Sequence, residues 1–348
     1  MLLLNYRPVL RQPTGIGVYA NAVLPALQSL PHRLIAGGEV GSARQRLSRL
    51  MWTQFSLPRI AKDTGAALVF TPAPEGYLGY QSVPQVVMVH DLRPITHPDH
   101  SLQSRYFRRW VPALLRSCRH IVTNSRFTAE EILRCTTVQA DSISVIPLGC
   151  DLNRFHPGPS SPVAGLAQRP YLLHVGQAYP HKNLGRVLQA FSDIARHLDD
   201  VQLVLAGKSH PTETLKLQAL VNHFDLQRRV AFLPYVAAAD LPALYRGALA
   251  LVYPSLWEGF GLPVLEAMAC GVPVLTSYGS GTEEAAGDAA LLVDPTDTAA
   301  IAAGLADLVT QPALRERLGL LGLQRAQLLP WSQTAERTSI MLQRLCFV

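Results

Sequence analysis

The feature that most constrains this chain is its repeated alternation of short apolar runs with longer amphipathic segments. Ala67–Phe70, Val86–Val89 and His120–Thr123 in the first half, then Tyr171–Gly176, Val201–Ala206, Val230–Leu233 and Ala248–Tyr253, are short and nearly uniform in apolar character. Runs of that length and composition read as strands buried on both faces, and strands of this kind separated by helices build parallel sheets. Val272–Leu275 and Ala290–Val293 add two more strands before a helical tail, and Met1–Leu4 reads as the first strand. Asn5 and Arg7 interrupt that run too early for a signal peptide. With 348 residues there is room for two domains of ordinary size. The Pro/Gly/Ser-rich stretch His156–Pro170 is the expected linker. The predicted organisation is α/β, with two Rossmann-like domains, 1–160 and 161–330, whose parallel sheets face a central cleft. Residues 331–348 are expected to return as a helix to the first domain.

Composition removes several classes of function. A hydrophobic content of 48% against 16% charged residues describes a packed globular protein, not a disordered one. No apolar run reaches the ~18–20 residues that cross a bilayer. The five cysteines are scattered without C-x-x-C spacing, so neither a disulfide framework nor a zinc site is predicted, and the expected compartment is cytoplasmic. Neither half carries G-x-G-x-x-G, which argues against a simple dinucleotide dehydrogenase. Charge is uneven: residues 1–150 hold 16 Lys/Arg against 8 Asp/Glu, and the remainder 15 against 17. The basic excess therefore belongs to the first half, which points to a partner.

The densest chemistry lies in Trp257-Glu-Gly-Phe-Gly-Leu-Pro-Val-Leu-Glu266, directly after the Ala248–Pro254 apolar run. Gly259, Phe260, Gly261 and Leu262 turn the chain into a helix expected at Pro263–Ala269, with proline in its first turn. A strand, a glycine turn and a helix N-terminus make an anion site from backbone amides and the helix dipole. Glu258 and Glu266 flank it and suit the hydroxyls of a sugar. A bare pair of glutamates would serve equally well as a cap and a solvated helix residue; the intervening Gly-Phe-Gly-Leu-Pro favours a binding site.

Four other segments carry candidate residues. Thr14-Gly15-Ile-Gly17-Val-Tyr19 reads as a glycine turn before a helix at Ala20–Leu30, where backbone amides approach a phosphate. His90 and Asp91 close the Pro84–Val89 strand, at the end where α/β sheets bind ligands, although a loop-capping histidine has the same signature. Gly176, His181 and Lys182 follow the first strand of the second half, and Lys208 follows the next; each lysine could equally be an exposed side chain. Ser280-Gly-Thr-Glu-Glu284 precedes Gly287-Asp288, which reads as turn chemistry. Two basic helices complete the set. Arg44–Phe55 has the apolar stripe Leu47, Leu50, Met51, Phe55, with Trp52 beside it, and Arg44, Arg46 and Arg49 elsewhere; Arg105–Arg119 aligns Tyr106, Trp110, Ala113 and Leu114 and leaves Arg105, Arg108, Arg109 and Arg116 free to face outward. These are the solvated faces of core-packed helices or an attachment to an anionic membrane surface. Nucleic acid is not predicted as a partner, since no binding motif accompanies the charge.

Taken together, these segments resemble the retaining GT-B glycosyltransferases of family 4 over nearly the whole chain, and Glu, seven residues, Glu is the donor-site pattern of that family. The resemblance implies transfer of a sugar from a nucleotide-diphosphate donor, with no other cofactor and no metal, as the lack of an Asp-x-Asp triad also suggests. It implies that Gly15 and Gly17 face the donor diphosphate, that His90 and Asp91 lie beside the transferred sugar or its acceptor, and that Lys182, helped by Lys208, neutralises the leaving diphosphate. Glu284 matches a position that contacts the donor. Relatives often carry Arg-Lys where this chain has His181-Lys182, an arginine at Gln177 and a proline at Glu283. The Thr-Gly-Ile-Gly-x-Tyr and His-Asp-Leu segments look most like bacterial polysaccharide mannosyltransferases, so the implied donor is GDP-mannose and the implied acceptor a lipid-linked glycan, as in lipopolysaccharide synthesis at the inner membrane face. A UDP-sugar transferase, a nucleotide-sugar epimerase or glycogen-synthase-like polymerase of the same fold, and a non-catalytic nucleotide-sugar-binding protein are the alternatives.

Overall fold

The structure, a computed structural model, describes residues 1–9, 15–37, 43–79, 82–98, 102–160, 166, 169–198, 200–208, 211–234 and 236–347. Thr14, the side chains of Arg44 and Arg46, and residues 161–165 and 167–168 of the expected linker lie outside that set. The chain divides into two compact units, Met1–Leu148 with Trp331–Val348, and Gly149–Pro330.

Six strands of the first unit, β1 (Leu2–Asn5), β2 (His32–Ile35), β3 (Leu68–Thr71), β4 (Gln85–Val89), β5 (His120–Thr123) and β6 (Ile143–Val145), form one sheet in the order β2-β1-β3-β4-β5-β6. All its pairings are parallel. β1, β3 and β4 are buried at every position, as their apolar runs require, whereas the edge strands β2 and β6 are half-exposed and mixed in composition. The helix Trp331–Phe347 belongs to this unit: Thr334 Oγ1 donates to the Pro147 carbonyl at 2.8 Å and Ser339 Oγ to that of Ala26 at 3.4 Å, on the helix Gly15–Gln28.

The second unit repeats the plan with β7 (Tyr171–Val175), β8 (Gln202–Ala206), β9 (Val230–Leu233), β10 (Ala250–Tyr253), β11 (Val274–Ser277) and β12 (Leu291–Val293), in the order β12-β11-β10-β7-β8-β9. These pairings too are parallel. Its core gathers Leu172, Leu203, Leu205 and Val252 from the sheet with Val187, Leu188 and Phe191 from the helix Leu184–Ala195 and Ile301, Leu305 and Leu308 from the helix Thr298–Thr310.

Three sequence expectations change. The boundary falls at 148/149, not 160, because Cys150 pairs with Pro330 in an isolated bridge and Arg154 donates to the Ala238 carbonyl, tying the chain after Leu148 to the second unit. Gly15 and Gly17 are not a turn before a helix but its first turn, since the helix already spans Gly15–Gln28. The stripe Leu47–Met51–Phe55 does not face the core: these residues are 61%, 51% and 54% exposed, while Thr53, Leu57 and Ala61 form the buried face of their helix, Ala43–Asp63.

Candidate active site

In an open α/β sheet, ligands bind beyond the carboxyl ends of strands where the winding direction reverses. In the second unit that point lies between β7 and β10, which are neighbours although three strands apart in sequence. The loops after these two strands carry Lys182 and Glu258. Lys182 ends the short 3-10 turn Pro180–Lys182, and its Nζ donates to Glu258 Oε1 and to the Tyr253 hydroxyl, both at 2.5 Å. The ammonium also stands 4.8 Å from the Tyr253 ring centroid, a cation–π distance.

The backbone is shaped to hold that pair. Asn183 adopts a left-handed conformation (φ 63°), and its Nδ2 donates to the carbonyls of Pro254 (3.1 Å) and Pro295 (2.6 Å), pinning the lysine turn to the end of β10. The Leu256 amide donates to the His181 carbonyl at 2.8 Å, a second tie between the two loops, and the His181 ring stacks on Tyr179. The Glu258 loop is fitted against the helix Gly281–Ala286. The Gly281 amide donates to the Glu258 carbonyl at 2.9 Å, and a Cβ at Gly281 would lie 2.1 Å from the Gly259 carbonyl oxygen.

Electrostatics follow from burial and pairing. Burial alone would lower the Lys182 pKa, but Glu258 and Tyr253 outweigh it and hold the ammonium above its ordinary value. Burial likewise acts to raise Glu258, and Lys182 with His181 overcomes it, leaving the carboxyl below the usual range. Both groups are therefore charged at neutral pH. Removing one partner of such a pair leaves an uncompensated charge, at a cost of ~3–5 kcal/mol.

Two aromatic groups and a histidine that the motif reading did not single out complete the constellation. Tyr253 ends β10 beneath Lys182. His174 in β7 is fully buried, its ring 5.3 Å from that of Tyr253 with planes 13° apart. The His174 pKa is pulled down to about 4 by burial and by Lys182, so the imidazole is neutral. A histidine inside the apolar run Tyr-Leu-Leu-His-Val-Gly was the signal available in the sequence. Tyr245, the other aromatic group, donates to Glu266 Oε2 at 2.8 Å. Glu266 lies on the helix Leu262–Ala269, and burial raises its pKa while Tyr245 and Arg154 act to lower it.

The remaining predicted residues separate into groups. Gly176 follows β7 with φ 149°, and Gly207 must stay glycine, because its Cβ would sit 2.1 Å from the Gly176 carbonyl oxygen. Lys208 follows and is exposed. Gly261 caps the helix Leu262–Ala269 in a left-handed conformation, and Phe260 is buried. That helix offers fewer amides than expected: Pro263 has no N–H, and the Val264 amide donates to the Gly261 carbonyl. The Gly279 amide donates to Glu283 Oε2 at 2.7 Å, and Arg325 donates to the backbone carbonyl of Glu284.

His90 and Asp91 belong to the first unit, whose own reversal point lies between β1 and β3. His90 Nε2 donates to the Pro72 carbonyl at 3.1 Å just after β3, and its ring meets Tyr19 edge-on at 5.2 Å. Burial pulls its pKa down to about 4, so it too is neutral, with Nδ1 left as the acceptor. Asp91 Oδ1 accepts from the Arg93 amide at 3.1 Å. Among the described residues, no group of three or more His, Cys, Asp or Glu could hold a metal ion.

Two Rossmann-like units, with chemistry gathered at the strand ends, define the class as GT-B. Sucrose-phosphate synthase from Thermosynechococcus elongatus has the same fold (TM-score 0.78, 21% identity, 99% of this chain and 98% of that one), and so does Anabaena Alr3699/HepE in complex with UDP-glucose (TM-score 0.77, 18% identity, 99% and 100%). The model of glycosyl transferases group 1 matches residues 162–322, and that of glycosyltransferase family 4 matches residues 15–154. The chain is 33% identical over 273 residues to O-antigen chain mannosyltransferase B of Escherichia coli, covering 76% of this chain and 71% of that protein. It is 32% identical over 213 residues to O-antigen chain mannosyltransferase RfbU of Salmonella typhimurium, covering 61% and 57%. The protein belongs to the family 4 glycosyltransferases of group 1.

Proposed function

We propose that this glycosyltransferase moves mannose from GDP-mannose to a lipid-linked glycan during synthesis of a cell-surface polysaccharide, with retention at the anomeric carbon and without a metal ion. The observation that supports mannose transfer in polysaccharide synthesis is the 33% identity to an O-antigen chain mannosyltransferase over 273 residues. The second unit supplies a mechanism. As the glycosidic bond breaks, negative charge grows on the leaving diphosphate, and Lys182 is a preformed buried cation to meet it. Glu258 keeps that lysine charged, and we assign Glu258 to accept from a sugar hydroxyl and Glu266 from the ribose. In a front-face retaining transfer no enzyme nucleophile is needed, so in the first unit we assign neutral His90 to hydrogen bonding with a substrate hydroxyl. The exposed apolar and arginine-bearing helices of that unit fit an anionic membrane surface, where a lipid-linked acceptor resides.

The test is transfer from GDP-, UDP- and ADP-sugars to a polyprenyl-diphosphate-linked glycan, with the product anomer read by NMR. Selective use of GDP-mannose with an α-linked product is expected. Preference for a UDP-sugar, or inversion, overturns the corresponding part. The same assay run in EDTA should retain full activity; loss restored by magnesium or manganese overturns metal independence.

A further inference from the structure

His174 is a buried group for which the reaction as proposed has no use. Its Nδ1 lies 3.0 Å from the Val252 carbonyl, which can only accept, so Nδ1 carries the proton. Nε2 is buried and has no hydrogen-bond partner among the described residues. Leaving a buried polar atom unpaired is unfavourable, and a phenylalanine would pack here without doing so. What the structure uses is therefore the flat face of the ring together with the Nδ1–H bond that fixes its rotation. That face lies against Tyr253 at 5.3 Å and 13°.

Tyr253 is one of two groups that orient Lys182, and the other is Glu258. A diphosphate competes with Glu258 for the same ammonium, because both are anions. Tyr253, neutral and fixed by its strand, is the support that survives such competition. A side chain at Gly176 would lie 3.6 Å from His174 Nε2, 3.8 Å from Lys182 Cε and 4.0 Å from Tyr253 Cε2, so the three groups border one small space. Because His174 is neutral, it adds no repulsion to the lysine.

We infer that His174 is a positioning residue: by stacking on Tyr253 it fixes the hydroxyl and ring that hold Lys182 against the leaving group. This rests on the reading of Lys182 given under the proposed function. The experiment compares His174→Ala, His174→Phe, Lys182→Ala and the double variant His174→Ala/Lys182→Ala, reading kcat with GDP-mannose as donor and Kd for GDP. His174→Ala should lower kcat about tenfold, as loss of alignment does, with Kd for GDP changed less than threefold. His174→Phe, which keeps the flat face, should return kcat to within about threefold of the wild type. In the Lys182→Ala background, His174→Ala should change kcat no further, because what it positions has gone. An unchanged kcat in His174→Ala, no recovery with phenylalanine, or a full further loss in the double variant overturns the inference. If Lys182→Ala alone leaves kcat unchanged, the reading of Lys182 fails instead, and the inference with it. Folding of each variant is checked by its thermal transition, and because the additivity test compares kcat within one background, a purely structural loss would show as additive.

Discussion

Lys182 concentrates the residue-scale argument, because it was legible in the sequence as a cation after a strand, as Glu258 was as a carboxylate, while their pairing and the part of Tyr253 in it were not. Lys182→Ala should reduce kcat by about a hundredfold or more while changing GDP affinity far less, since the charge that it meets grows only in the transition state. Steady-state kinetics beside calorimetric GDP binding separate the two, and an effect on affinity alone would refute the placement at the leaving group. His174 supports a prediction about pH. Its folded pKa of about 4 lies below the ordinary imidazole value of 6.5, so between those values the unfolded chain binds more protons. The contribution of a neutral His174 is thus present above pH 6.5 and is lost as pH falls toward 4, by up to ~3 kcal/mol. The melting temperature of the wild type should fall relative to that of His174→Phe across this interval, as followed by calorimetry; a constant difference would mean that His174 titrates normally.

Among the elements, the uniformly apolar strands were the ones that the sequence made plain. β3, β4, β5, β7, β8 and β10 announce themselves as apolar runs because each has sheet neighbours on both edges and helices on its faces. β2 and β6 escaped notice because their composition is mixed; β9 and β12, edge strands too, were legible because their runs are apolar throughout. The Glu258–Glu266 segment was readable as strand, glycine turn and helix, but its closest structural partner was not. Gly281, beyond β11, reaches the Gly259 carbonyl only through the tertiary fold. Gly281→Ala should therefore drive the Glu258–Gly261 loop away, since a Cβ would meet the Gly259 backbone at 2.1 Å and backbone cannot swing aside as a side chain does. Overpacking of this kind costs ~1–3 kcal/mol, so a lower melting temperature together with weaker GDP-mannose binding is expected. Wild-type affinity in a stably folded Gly281→Ala protein would show that this loop does not shape the donor site.

Taken as a whole, the molecule is unequal in charge, +8 over residues 1–150 and −2 over the rest. Among the described residues no helix is long and apolar enough to cross a membrane. Two observations in the first unit support the proposed contact with an anionic membrane surface. Arg105, Arg108 and Arg109 are exposed on the helix Leu102–Ser117 beside Trp110, which leaves the stripe expected with the buried Leu114 and is 48% exposed. On the helix Ala43–Asp63, Leu47, Met51 and Phe55 make an exposed apolar stripe at four-residue spacing. Arginine and tryptophan suit the headgroup layer, and an apolar stripe suits the acyl boundary below it. The protein should bind vesicles containing phosphatidylglycerol and leave them as salt rises, because exposed charges are screened over ~8–10 Å at moderate ionic strength. Each cation near an anionic surface contributes ~1 kcal/mol, so replacing Arg105, Arg108 and Arg109 by Ser should weaken vesicle binding about a hundredfold. Donor affinity should not change, since the proposed donor residues lie mainly in the second unit and none is among these three arginines. Replacing Met51 and Phe55 by Ser should weaken the attachment that persists at high salt, because its source is apolar burial and not charge. Cosedimentation distinguishes the contributions. Equal binding to neutral and anionic vesicles would remove the role of the arginines, and no binding to either would return both helices to ordinary solvated faces.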